Sequence, residues 1–402
     1  MSRLLEGIRV IDAASFIAGP VATTVMAEFG ADVIKVEPPR GDVYRIRGAG
    51  YPPSPYNFPW IVDNRNKRGV AIDLREKDGQ AVLHRLLRDA DVFVTNVPLD
   101  NRARLGVDYE TLAALNERLI YASVTAYGEA GDEASKPGFD NIALWARTGL
   151  MDLMRAGADG PPLRSLPGMG DHPTGMSLFG AIMAGLYQRE RTGRGTMVAT
   201  SLMANGLWWN AIQVQGILCG ARTEPRPPRE ESLNALACFY RCRDGRWFVL
   251  THTADERRWE PFAAAIGRPE LVDDPRFATL ERRRKNARAL ITILDEVFAT
   301  RDWPEWKRII EATGVAIGVV ATLDDIPNDV QMRASGALVP IADPRAGAAL
   351  MVSSPITLAG QAKVPPTMPP AVGEHTVEVL RAAGIDQNDI DRLRAAGVIV
   401  QA

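Results

Sequence analysis

Apolar residues along the first 130 positions fall in short β-branched runs separated by amphipathic stretches, the alternation expected of a parallel sheet wrapped by helices. Residues 7–12 (GIRVID) and 32–37 (DVIKVE) read as strands, with residues 20–29 as the crossover helix between them and Pro20 in its first turn. The unit recurs as a strand over 70–74, a helix over 78–87 and a strand over 91–96 (DVFVTN), and a buried strand over 119–125 (LIYASVT) follows. The expected fold class is α/β. From residue 141 to 203 the pattern turns helical, broken by a glycine- and proline-rich stretch over 157–170. After that break Met176, Phe179, Ile182, Met183 and Leu186 stack at helical spacing, which puts Asp171 at a helix entry. Residues 223–229 (TEPRPPR) read as a linker. A hairpin over 239–242 and 247–251, turning at Asp244-Gly245, then opens a second, smaller domain, with helices over 259–266, 287–299 and 304–312 and a strand over 317–320. Beyond residue 329 the chain reads as loops, a proline cluster over 365–370 and two short helices, 377–383 and 387–396.

Charge narrows the function classes. The 402 residues carry 47 basic and 49 acidic side chains, and no run of five like charges occurs, so neither nucleic acid nor an anionic membrane is an expected partner. Glu6 and Arg9 interrupt the opening segment before an apolar stretch can form, and no 18-residue apolar run follows, so neither a signal peptide nor a membrane anchor is expected. Three cysteines (Cys219, Cys238, Cys242) and four histidines (His84, His172, His252, His375) lack paired zinc spacing; no metal site is expected, and a reducing cytoplasm fits. The first β-α turn, AASFIAGP, holds only Gly19, whereas a nicotinamide-binding turn needs several glycines to bring amides against a pyrophosphate. From the residues alone Asp171, just before Pro173, reads as a helix N-cap more readily than as a reactive group.

The motif strings carry more. GIRVID, the AGP ending at Pro20, GADVIKVEPPRGD from Gly30 to Asp42, NKR from Asn66, ADVFVTN ending at Asn96 and RLG from Arg104 follow one another along the chain. GD at Gly170-Asp171, RTGRG from Arg191, DPRF from Asp274 and GEHT from Gly373 continue the series. In content and order these strings resemble the class III CoA-transferase family, which includes formyl-CoA transferase, carnitine CoA-transferase and α-methylacyl-CoA racemases. The resemblance implies a large Rossmann-like parallel-sheet domain built from residues 1–222 and a return segment, 329–402, with a smaller α+β domain over 230–328. It further implies two chains interlocked as a homodimer. The implied reaction moves coenzyme A from an acyl-CoA to an organic acid, with no tightly bound cofactor.

On this resemblance Asp171 is the nucleophile. A carboxylate suits the task, because attack on a thioester gives a mixed anhydride that the released thiolate can reopen. An ordinary Asp is ionised at neutral pH, so no activating base is expected. Gly168 and Gly170 are expected to let the thioester approach backbone amides. Implied coenzyme A contacts are Ile17 and Ala18 in the first turn, then Ile72, Asp73, Leu74 and Arg75, then Asn96, Val97 and Pro98, then Arg104, and then Pro137, Gly138, Phe139 and Asp140. Ile17 and Pro38 replace a Gln and an Arg of formyl-CoA transferase; Arg40 is the candidate substitute for the latter, and Lys136 for a family lysine one place later. Phe139 stands where the racemases carry an acid/base His, which disfavours racemisation. Lys35 and Lys67 fall in family strings, with strand-end, dimer-contact and ligand roles open. No glycine-rich flap occurs near residues 233–242, and Trp208, Trp209, Phe139 and Phe239 are candidates for an apolar acyl pocket.

Overall fold

The computed structural model describes residues 3–47, 54–155, 157, 159–222, 227–251 and 256–402. Residues 223–226 of the expected linker, and His252, lie outside the described residues. Two compact units are present: Met1–Asp152, Arg164–Thr223 and Val330–Ala402 form the larger, and Leu153–Leu163 with Glu224–Asp329 the smaller.

The larger unit begins β1 (Arg9–Asp12), α1 (Ala18–Glu28), β2 (Asp32–Glu37), α2 (Phe58–Asn64), β3 (Arg68–Ile72), α3 (Lys77–Leu87), β4 (Val92–Thr95) and β5 (Ile120–Thr125). These strands read as continuous apolar runs because both faces are covered. Alternate residues go to opposite faces: Ile11, Ile34, Val70 and Phe93 pack in the core that holds Leu83 and Leu87 of α3, whereas Val10, Val33 and Val92 pack with Met26 of α1. Residues 141–203 depart from the expected helical reading in two places. Asp140–Ala146 winds as a π-helical turn, and Thr196–Ser201 is a strand, β6, that pairs parallel with β5. The helix before it, α4 (Asp171–Thr192), stops at Gly193 with φ 74°, and the β-branched TMVATS run then extends along the sheet edge. Ser201 caps the next helix, α5 (Leu202–Trp209), by accepting a hydrogen bond from the Ala204 N–H at 3.1 Å, and α6 (Ala211–Leu218) follows.

The smaller unit holds the antiparallel sheet β7 (Phe239–Arg241), β8 (Trp247–Thr251) and β9 (Ala316–Val319). Its core joins Tyr240 and Phe248 to Phe298 and Trp306 from the helices Ala287–Phe298 and Trp303–Glu311. The return segment adds three strands that its loop-like sequence hides: the hairpin β10 (Leu338–Pro340) and β11 (Leu350–Val352), and β12 (Ile399–Val400), which runs antiparallel to β3. The GEHT string covers the free edge of β3 beside β12. His375 N–H donates to the Gly69 carbonyl at 2.8 Å, the Gly69 N–H donates to His375 Nδ1 at 3.2 Å, and the Ala71 N–H donates to Thr376 Oγ1 at 3.1 Å.

The large sheet has the order β12-β3-β2-β1-β4-β5-β6. Winding reverses between β1 and β4, and a crevice must open at their carboxyl ends, where doubly wound sheets receive ligands. Among the described residues no helix is long and apolar enough to cross a membrane.

Candidate active site

That crevice is a cavity of about 990 Å³. Its walls come from residues 15–18 after β1, 96–99 after β4, 124–126 at the end of β5, 134–141, and 164–168 leading to Asp171. Asn96 holds the two sides of the switch point together, accepting from the Ser15 N–H at 2.9 Å and donating to the Ser15 carbonyl at 2.8 Å. Its side-chain amide is therefore committed to the frame. Phe16 takes a left-handed conformation, φ 63°, that a bulky residue avoids, and its ring meets Phe139 edge-on at 5.4 Å. Arg102, buried beneath this wall, donates to the Val97 carbonyl at 2.9 Å, to Ser123 Oγ at 2.7 Å and to Glu129 at 2.9 Å. It is this arginine, and not the exposed Arg104 of the RLG string, that shapes the turn after β4.

Below the first turn lies a buried charge network. Lys67 Nζ donates to Asp12 at 2.9 Å, to the Pro20 carbonyl at 2.9 Å and to the Asp63 carbonyl at 3.1 Å. Lys35 donates to the Ala14 carbonyl and lies 3.7 Å from Asp12 and 3.5 Å from Asp42. Both lysines are buried within the chain. Burial works against the charge of Asp12, but Lys35 and Lys67 more than offset it and hold its carboxyl below the usual range. Burial brings Lys67 down to about 8. The network ties the turn carrying Ile17 to the segment carrying Tyr44, two walls of the same cavity.

Asp171 is the first residue of α4, with Gly170 at the cap position. Its carboxylate makes no capping bond, and among the described residues it accepts no hydrogen bond and forms no ion pair, which removes the cap role left open by the sequence. Gly168, with φ +81°, turns the chain toward it, and a Cβ on Gly170 would stand 2.9 Å from Asp140 Cβ. Asp140, buried at the start of the π-helical turn, accepts from the Gly170 N–H at 3.0 Å and from the Asn141 N–H at 2.7 Å. Of the backbone amides in the Gly168 to Gly170 stretch that a thioester is expected to approach, that of Gly170 is thus committed to Asp140.

The charge state of Asp171 also departs from expectation. Burial, then the charges of Asp140 and Asp63, push its carboxyl up to about 7, and His172 pulls it down. Asp63, buried on α2, accepts from His172 Nε2 at 2.9 Å. Burial disfavours the imidazolium, yet Asp63 and then Asp171 lift His172 above an ordinary imidazole. Burial and the carboxylates Asp63, Asp171 and Asp42 keep Tyr44 a neutral phenol.

Of the sequence-predicted contacts, Ile17, Ala18, Asn96, Val97, Pro98, Lys136, Pro137, Gly138, Phe139 and Asp140 line this cavity with Asp171. Ile72, Asp73, Leu74 and Arg75 do not, because β3 lies two strands from β1, about 10 Å across the sheet. Arg75 pairs with Asp73 at 2.5 Å. Arg40 and Arg104 are exposed and outside the lining, as are Trp208, Trp209 and Phe239. Lys136 lines the cavity but pairs with Glu133 at 2.9 Å. Sequence reasoning missed Phe16, Tyr44, Arg164 and Ser165, which carry no periodicity and reach the cavity only through topology.

Comparison with known proteins places this geometry in context. The family model for CoA-transferase family III matches residues 5–376. The chain is 30% identical over 400 residues to the (R)-2-hydroxy-4-methylpentanoate CoA-transferase of Clostridioides difficile, covering 98% of this chain and 99% of that protein. It is 30% identical to the cinnamoyl-CoA:phenyllactate CoA-transferase of Clostridium sporogenes, covering 98% and 96%. The crystal structure of a CAIB/BAIF family protein from Brucella suis superposes with a TM-score of 0.83 at 28% identity, covering 96% of this chain and all of that one.

Proposed function

The chain belongs to CoA-transferase family III and is an acyl-CoA:carboxylate CoA-transferase, and from that premise we propose that coenzyme A passes from donor to acceptor through covalent intermediates on Asp171. The observation that carries this reading is the uncommitted carboxylate of Asp171 on the wall of the switch-point cavity. A carboxylate oxygen attacks the thioester carbonyl, the C–S bond breaks, and an acyl-aspartyl anhydride and the CoA thiolate result. The thiolate attacks the aspartyl carbonyl, expels the donor acid as its carboxylate and leaves an aspartyl-CoA thioester. The acceptor carboxylate displaces the thiolate to form a second anhydride. Attack of the thiolate on the acceptor acyl carbon then yields the new acyl-CoA and restores Asp171. No net proton is taken up or released.

The cavity walls support an acyl group with an apolar body, since Phe16, Ile17, Val97, Phe139 and Leu166 face it. The two relatives compared above act on acids of that kind. Phe139 carries no proton to move, which speaks against racemisation at the α-carbon. The working form is a homodimer. In its support, α5 and α6 expose Trp208, Ile212 and Leu218, and no residue of α6 is buried. Two chains interlocked in the manner of the family would cover that face. The activity is tested by mixing the protein with acetyl-CoA and a panel of organic acids and following new acyl-CoA. Transfer is expected for the natural protein, and Asp171→Ala is expected to lose it at least 1,000-fold while retaining CoA binding, as about 4 kcal/mol of lost nucleophilic catalysis requires.

A further inference from the structure

The cavity wall leading into Asp171 is the segment Arg164–Gly168, and it presents two polar groups that no other described residue uses. Arg164 lines the cavity, is exposed, and among the described residues makes no ion pair or hydrogen bond. The other cation in the lining, Lys136, is paired with Glu133. Beside Arg164, Ser165 Oγ is buried and has no hydrogen-bond partner among the described residues. A buried hydroxyl without a partner costs its desolvation, so a ligand atom is its natural complement. Both groups can donate, and a guanidinium gives a carboxylate two parallel, charge-assisted N–H bonds that are stronger than those to a neutral acceptor.

Position ties the pair to the reacting centre. The Met169 N–H donates to the Leu166 carbonyl at 3.3 Å, and the His172 N–H to the Gly168 carbonyl at 3.1 Å. These bonds fold the segment back on itself, so that Arg164 and Ser165 share one cavity with Asp171 although they lie seven and six positions before it. Leu166 and Ile17 supply apolar wall in the same cavity.

We propose that Arg164 and Ser165 form a subsite for a second carboxylate on the acid, so that the preferred acceptor is a dicarboxylic acid with a short apolar spacer. One carboxylate faces Asp171 and the other sits on the guanidinium and the serine hydroxyl. The proposal rests on the transferase reading above, and its test separates the two.

Steady-state kinetics with acetyl-CoA as donor compare glutarate, pentanoate and 2-hydroxypentanoate, acids of one chain length, in the natural protein, Arg164→Gln and Ser165→Ala. Calorimetric titration of the same acids into the CoA-free protein reads the subsite without turnover. The expected result is tighter binding and a lower KM for glutarate in the natural protein. Arg164→Gln raises the glutarate KM about 10- to 100-fold, and Ser165→Ala a few-fold, with pentanoate and acetyl-CoA KM values within twofold. An equal rise in the acetyl-CoA KM with every acid would assign Arg164 to a phosphate of coenzyme A and overturn the proposal. An unchanged glutarate KM, or preference for 2-hydroxypentanoate, overturns it as well. Absence of turnover with every acid, with selective glutarate binding intact, would sink the transferase reading and leave the subsite standing.

Discussion

The mechanism proposed above requires Asp171 to carry its charge in a site that resists it. Burial and the neighbouring Asp140 and Asp63 push its carboxyl up to about 7, and His172, held by Asp63 at 2.9 Å, lowers it. In the proposed mechanism the ionised form attacks, so kcat/KM is expected to climb through about pH 7, not near 4, falling about tenfold per pH unit below that limb. His172→Gln removes that lowering charge, so the limb moves to higher pH while activity on the plateau stays within a few-fold; a pH–rate profile of the two proteins checks this. Linkage sets a matching stability effect. A carboxyl whose folded pKa is raised stabilises fully below its unfolded value near 4 and loses that contribution as pH rises through about 7. Asp171→Asn is therefore expected to be more stable than the natural protein at pH 8, on the order of 2 kcal/mol after discounting for its partial exposure, and equal to it at pH 4, as read from denaturant melts. The sequence marked Asp171 through the GD string, but its raised pKa was hidden. Asp140 and Asp63 lie 31 and 108 positions away in the chain and meet it only in the fold.

At the scale of elements, β1 to β5 were legible because buried parallel strands leave unbroken β-branched runs, and α4 because its apolar side chains repeat at helical spacing. β6 was hidden because Ser201 ends the strand and caps α5 at once, leaving no turn between them. β12 was hidden because two residues carry no pattern, and its pairing with Ile72 and Ala71 is set by the fold. Several family strings proved to be joinery between elements. NKR places Lys67 under the first turn, and GEHT covers the β3 edge. The packing of α4 on α1 is close enough to test. A Cβ on Gly175 would stand 2.7 Å from the Ala18 carbonyl oxygen and 2.7 Å from Val21 Cγ1. Gly175→Ala is expected to cost about 1–3 kcal/mol in chemical denaturation, and to raise the acyl-CoA KM, because Ala18 lines the cavity.

For the whole molecule, the doubly wound order with its reversal between β1 and β4 puts the cavity where loops after β1, β4 and β5 converge, and the Asp140 and Asp171 segments complete it. The α/β class was readable from alternation, whereas the switch point required the strand order that only the structure supplies. The exposed apolar face of α5 and α6 predicts a solution mass of twice 43.8 kDa by sedimentation equilibrium. A fully active species of 43.8 kDa would contradict the dimer. One bond to one oxygen of Asp171 distinguishes the proposed mechanism from its rivals. Incubation with acetyl-CoA, quenching in hydroxylamine and peptide mapping by mass spectrometry is predicted to find the hydroxamate on Asp171 and on no other carboxylate. An unmodified Asp171 in protein that exchanges the α-protons of its acyl-CoA would contradict it.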